Sequence, residues 1–162
     1  MPQLITEGSL QFSFPDGTTV SKYDEWVCYR KFSSAINGTK AVDIVHIDIN
    51  KTAWLIEIKD DRVNRRTKPS ELSDEIALKV RDTLAGLAVA RFRAQVSVEK
   101  QVARKVLQAR QLRVVLHLEQ TKKPSKLFPQ AVDPADIHQQ RKRLLKAVDA
   151  HPCVVDQNTL KP

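Results

Sequence analysis

The sequence predicts an α/β fold, with a mixed central sheet that contains a β-hairpin and is flanked by helices. Three observations carry that expectation. Two short apolar stretches, 43–48 (Asp-Ile-Val-His-Ile-Asp) and 54–59 (Trp-Leu-Ile-Glu-Ile-Lys), are joined by Ile49-Asn50-Lys51-Thr52, the pattern of a hairpin. Leu72, Ile76, Val80, Leu84 and Leu87 recur at helical spacing. Leu112, Val114, Leu116 and Leu118 alternate with other residues, as a further sheet strand would. A chain of 162 residues fits one domain with a sizeable core.

Taken in order, Leu10, Phe12 and Phe14 alternate and stop at Pro15-Asp16-Gly17, a short strand ended by a turn. Thr19 or Ser21 offers an N-cap, with Asp24 and Glu25 in the first turn, for a helix to about Ile36. Tyr23, Trp26, Val27 and Arg30 would share its inner face, and Asn37-Gly38 would end it in a left-handed stop. Strands are expected at about 41–48 and 53–59. The polar, basic run from Arg62 to Ser70 reads as a loop, and Ser70 or Ser73 as the cap of a long helix to about Arg93. A shorter basic helix over about 98–109 precedes the 112–118 strand. Residues 121–130, with two prolines and three lysines, read as a loop. Asp133-Pro134 opens a last helix, and Cys153-Val154-Val155 supplies a short strand.

Composition narrows the classes of function. The chain is 41% hydrophobic and 28% charged, the balance of a globular and not a disordered protein. No apolar run is long enough for a membrane span, and the first residues lack the pattern of a signal peptide. Cys28 and Cys153 form no CxxC pair, so reduced thiols in a cytoplasmic protein are expected. The net charge of +8 is unevenly spread: residues 1–61 carry 6 basic and 9 acidic side chains, residues 62–162 carry 21 and 10. Acids that border a basic surface suit a nucleic-acid partner, with cations on the phosphates.

The hairpin strands concentrate the polar chemistry. If Trp54, Ile56 and Ile58 face one way, Leu55, Glu57 and Lys59 face the other. An acid and an amine in an apolar strand are costly unless paired or employed. Phosphodiester chemistry would employ them: a hard cation such as Mg²⁺ or Mn²⁺ takes oxygen ligands, typically one or two carboxylates plus water and phosphate. Asp43 and Glu57 could hold it, the Ile58 carbonyl could add a ligand, and Lys59 could orient water or steady the phosphate. The condition is geometric. Residue pairs that sum to 100 put Asp43 beside Glu57, and pairs that sum to 102 put it beside Lys59; an odd loop is required. The alternative is that Glu57 and Lys59 form a surface pair while Asp43 caps a strand.

Val42-Asp43 and Glu57-Ile58-Lys59, with 13 residues between the acids, resemble the acid and Glu/Asp-x-Lys motif of the PD-(D/E)XK, or restriction-endonuclease-like, superfamily. The likeness covers roughly residues 21–120 and leaves 121–162 as an extension within a single domain 1–162. It implies Asp43 and Glu57 as metal ligands, Lys59 as the catalytic lysine and Glu25 as an additional acid from the first helix. It also implies that Lys79 projects over the site. Val42 stands where the motif has proline, and residues 37–40 leave no room for a strand between helix and acid.

Around this site, Arg62, Arg65, Arg66 and Lys68 would clamp phosphates, with Lys79 and Arg81 beside them; a solvated loop is the alternative. The resulting expectation is a Mg²⁺-dependent nuclease that hydrolyses DNA, more than RNA, as a possible homodimer or with a partner subunit. The alternative is a non-catalytic nucleic-acid-binding or interaction subunit that retains the nuclease fold, as in a defence or repair assembly.

Overall fold

The computed structural model describes residues 1–62, 72–121 and 132–159. The chain opens with strands β1 (Gln3–Glu7) and β2 (Leu10–Phe14), an antiparallel hairpin. Strand β3 (Thr19–Lys22), a 3₁₀ turn (Tyr23–Glu25) and helix α1 (Val27–Ala35) follow, then β4 (Ile44–Ile47) and β5 (Thr52–Asp60). Helices α2 (Leu72–Arg93) and α3 (Ser97–Leu107) lead to β6 (Gln111–Glu119), and α4 (Pro134–Leu145) leads to β7 (Cys153–Val155). Strands β3 to β7 lie side by side in chain order; β3-β4-β5 are antiparallel, and β6 and β7 join in parallel. This is the mixed α/β sheet the sequence predicts.

The sheet has two different coats. On one face Val45, Ile47, Ala53, Leu55, Val114, Leu116 and Leu118 pack against residues of α2, α3 and α4. On the other, Ile44 and Ile58 pack against Leu10, Phe12 and Phe14 of the β1–β2 hairpin. Period-two alternation in β4 and β5 therefore sends odd-numbered residues to the helices and even-numbered ones to the hairpin.

The hairpin between β4 and β5 is held in register by one side chain. Asp48 Oδ1 accepts the N–H groups of Asn50 and Thr52, each at 2.9 Å, and its Oδ2 accepts Trp54 Nε1 at 3.0 Å. Lys51 takes a positive φ of 61° to close the turn. The resulting pairs, Ile44 with Ile56 and Val45 with Leu55, sum to 100.

Some expectations are corrected. Residues 19–22 are not the start of a helix; they form β3, which pairs with β4 from Thr19–Ile47 to Lys22–Ile44. The extended backbone of Trp26 (φ −62°, ψ 138°) separates the 3₁₀ turn from α1. Tyr23 and Trp26 are buried as expected, but Val27 is exposed. Trp26 provides no side-chain cap, and the α1 N-terminus is instead capped from α3, because Glu99 accepts Val27 N–H at 2.7 Å and Cys28 N–H at 3.1 Å. Gly38 has the left-handed φ of 81° anticipated after α1. Ser73 lies buried inside α2 and does not cap it, while Ser70 is outside the described residues. The loop expected at 121–130 also falls almost wholly outside them.

Candidate functional site

Asp43 sits just before β4, where the ladder with β5 has ended, and its side chain replaces the missing strand partner. Its Oδ2 accepts Ile58 N–H at 2.7 Å, while its backbone carbonyl accepts Tyr23 N–H at 2.9 Å. The carboxylate is thus tied to β5 and to the 3₁₀ turn together. Ile58 meets Asp43 through its N–H, while the group expected from it as a metal ligand is its carbonyl.

The register brings Asp43 to the same face and level as Glu57. Glu57 is 1% exposed, and its Oε1 accepts Lys79 Nζ at 2.5 Å and lies 3.1 Å from Lys59 Nζ. Lys59 also reaches Glu75 Oε1 on α2 at 3.1 Å. Glu57 Oε2 is buried and has no hydrogen-bond partner among the described residues. The Glu57–Lys59 pair is therefore not a surface pair at a sheet edge. Lys79 points over the hairpin, as the resemblance implied.

This packing alters acidity. Burial first, then the charge of Glu57, raises the Asp43 carboxyl from 3.8 to about 6, against the opposing Ile58 N–H and Lys79. Burial works to lower Lys59, yet Glu57 and Glu75 outweigh it and its pKa is raised. Asp24 is raised to about 6 as well, by burial and then by Asp43, and its Oδ1 is buried without a partner.

Asp24, which the sequence reading did not select, is therefore the acid of the 3₁₀ turn that senses Asp43. Glu25 is directed away: it is 55% exposed and pairs with Lys22 at 2.7 Å. The choice between two adjacent acids depended on a helix that is a 3₁₀ turn instead, which rotates Asp24 inward. Among the described residues no group of three or more His, Cys, Asp or Glu side chains could hold a metal ion. The site offers two carboxylates, Asp43 and Glu57.

The basic candidates divide. Arg62 is engaged by Asp60, with Nε at 2.8 Å and Nη2 at 2.7 Å from its oxygens. Arg81 is 71% exposed and lies 3.1 Å from Asp82. Arg65, Arg66 and Lys68 lie outside the described residues. Lys79 is committed to Glu57. Two further polar groups are buried: the His117–Glu119 pair at 2.8 Å, and Arg141, which is 0% exposed and so does not share the wet face of α4 with Lys142 and Arg143. Arg141 lies between Gln140 and Lys142, a polar setting that carries no sign of its burial.

No family model matches the chain, and no solved structure does. The chain is similar to the cysteine–tRNA ligase of Neisseria meningitidis serogroup A / serotype 4A (strain DSM 15465 / Z2491), with 35% identity over an alignment of 164 positions. That alignment takes in 82% of this chain and 23% of the ligase, so the chain spans less than a quarter of its relative. The similarity overturns the expectation of a DNA-hydrolysing nuclease. The relative is a ligase named for tRNA, and DNA has no support as the polymer. No helix among the described residues is long and apolar enough to cross a membrane.

Proposed function

We propose that the chain is an RNA-binding unit related to the aminoacyl-tRNA synthetases, working in the cytoplasm alongside a tRNA-joining enzyme. The observation that carries this reading is the 35% identity to the cysteine–tRNA ligase across 82% of the chain. The charge of +11 on residues 62–162 supports it, because phosphate neutralisation supplies most of the affinity for a polyanion. The likeness of the hairpin to that of the PD-(D/E)XK superfamily enters as a likeness of scaffold.

The reading includes Mg²⁺ or Mn²⁺ at Asp43 and Glu57. Two carboxylates are what Mg²⁺ usually takes from a protein, with water and phosphate completing its shell. Glu57 Oε2, which has no hydrogen-bond partner among the described residues, and the Asp43 carboxylate would supply the oxygen ligands. When bound, the cation supplies a coordination position for a phosphate oxygen. The chain's own part is to hold the two acids: Ile58 N–H fixes Asp43, and Lys59 and Lys79 pair with Glu57.

Fluorescence anisotropy with tRNA and with duplex DNA of equal charge tests the proposal, with and without Mg²⁺. The expected result is tighter binding of tRNA and a Mg²⁺-dependent component lost in Asp43→Asn and Glu57→Gln. Equal affinity for both polymers would overturn the RNA reading. A Mg²⁺ effect unchanged in both variants would remove the cation from these carboxylates.

A further inference from the structure

Helix α4 carries a second basic feature, away from the hairpin carboxylates. Gln139, Lys142, Arg143 and Lys146 fall at i, i+3, i+4 and i+7 and form one stripe on α4 and the turn after it. The opposite stripe, Ile137, Arg141 and Leu145, is buried. Ala150 and His151 form a second wall, and between the two lies a shallow, open cleft. None of these six lining residues is acidic, and Lys142, Arg143 and Lys146 make no ion pair among the described residues.

The second wall is rigid. Asp149 Oδ1 accepts His151 N–H at 2.9 Å, and Asp149 Oδ2 accepts Val114 N–H from β6 at 2.8 Å. Arg113 closes the frame, with Nε 3.2 Å from Asp149 Oδ2 and Nη2 2.8 Å from the His151 carbonyl. The cleft is therefore built before a ligand arrives, which lowers the ordering cost of binding. Basic residues also gather at helix C-termini to complement the helix dipole. That accounts for Lys142 and Arg143 in the last turn, but not for Lys146 beyond the helix or for the fixed facing wall.

We infer that this cleft is a phosphate-backbone site, a second point at which an RNA strand is held on the chain. Three cations that make no ion pair among the described residues lie along one stripe and fit successive phosphates, contacts that position a strand and carry no sequence information. The inference rests on the RNA reading for its polymer, but not on the hairpin carboxylates.

The test is salt-dependent binding of tRNA and of a labelled uridine oligomer of about twelve nucleotides. Wild type is compared with Lys142→Gln/Arg143→Gln/Lys146→Gln and with an equal-charge control, Arg93→Gln/Arg104→Gln/Arg110→Gln. The α4 variant should bind the oligomer at least about tenfold more weakly, with a slope of log K against log salt reduced by about 2. The control should change less, and melting temperature reports that all variants fold. Equal losses in both triple variants, or none in the α4 variant, would overturn the cleft while leaving the RNA reading in place. Oligomer binding that depends on α4, with no tRNA binding by wild type, would support the cleft and overturn the tRNA reading. Absence of all binding at low salt would overturn both.

Discussion

Asp43→Asn removes a charge that the fold tolerates at a cost, and that cost can be worked out from its surroundings. Burial and the neighbouring Glu57 lift the carboxyl from 3.8 to about 6. Each tenfold change in acidity corresponds to ~1.4 kcal/mol, so full ionisation costs up to about 3 kcal/mol. Partial solvent access at Asp43 reduces this to about 1–2 kcal/mol. A raised folded-state pKa contributes stability that is complete below the unfolded value of 3.8 and is lost as pH rises through about 6. Asparagine keeps an oxygen to accept Ile58 N–H, so the variant tests charge more than hydrogen bonding. Without divalent cations, Asp43→Asn should melt roughly 2–8 °C above wild type at pH 8, the two converging below pH 4. Asp24 should then titrate lower, because the Asp43 charge is one cause of its own elevation. Melts by circular dichroism from pH 3.5 to 8 measure the difference. A variant less stable than wild type at pH 8, or an offset independent of pH, would refute the reasoning.

Glu99→Ala removes both acceptors at the α1 N-terminus and should cost about 2–3 kcal/mol in urea unfolding, more than a single lost cap. Gly86→Ala would drive a methyl group into the Tyr23 hydroxyl and to 3.3 Å from its Cζ, which should cost about 1–3 kcal/mol. Adding Tyr23→Phe should recover part of that loss in thermal melts, since the buried hydroxyl has no partner to lose. Asp48→Ala strips three hydrogen bonds from the β4–β5 turn and should lower stability by about 2–4 kcal/mol. Hydrogen exchange should show that loss first at Thr52 and Asn50.

The parts of the fold legible in the sequence are those set by local periodicity. The alternation of 54–59 assigned the faces of β5 correctly, and the parity of the hairpin loop stated a condition that the 44–56 and 45–55 pairs meet. Helices α2 and α3 and strand β6 were visible because long apolar repeats outweigh other signals. What escaped was decided by partners remote in sequence. Residues 19–22 look like a helix start, yet they bond to the exposed edge of β4. Strand β1 has little buried surface and, among the described residues, pairs with β2 alone, so no apolar pattern marks it. The α1 cap comes from a glutamate 72 positions away. At the hairpin, strand parity brings Asp43, Glu57 and Lys59 to one face, where Lys79 meets them, whereas the placement of Glu25 depended on the pitch of one turn, which directs it to Lys22 instead.

The charges around Glu57 also constrain how the proposed cation could bind. Lys79 and Lys59 both occupy the side of Oε1, and only Oε2 is without a partner. A dication at Oε2 would share one carboxylate with two ammonium groups, which oppose its approach in a site of low dielectric. A phosphate oxygen reverses that balance, because it is attracted by the cation and by both lysines. Cation and RNA should therefore strengthen each other, and by linkage each must raise the affinity of the other by the same factor. Mg²⁺ affinity that is identical with and without bound RNA would mean that the cation and the phosphate do not meet at Glu57.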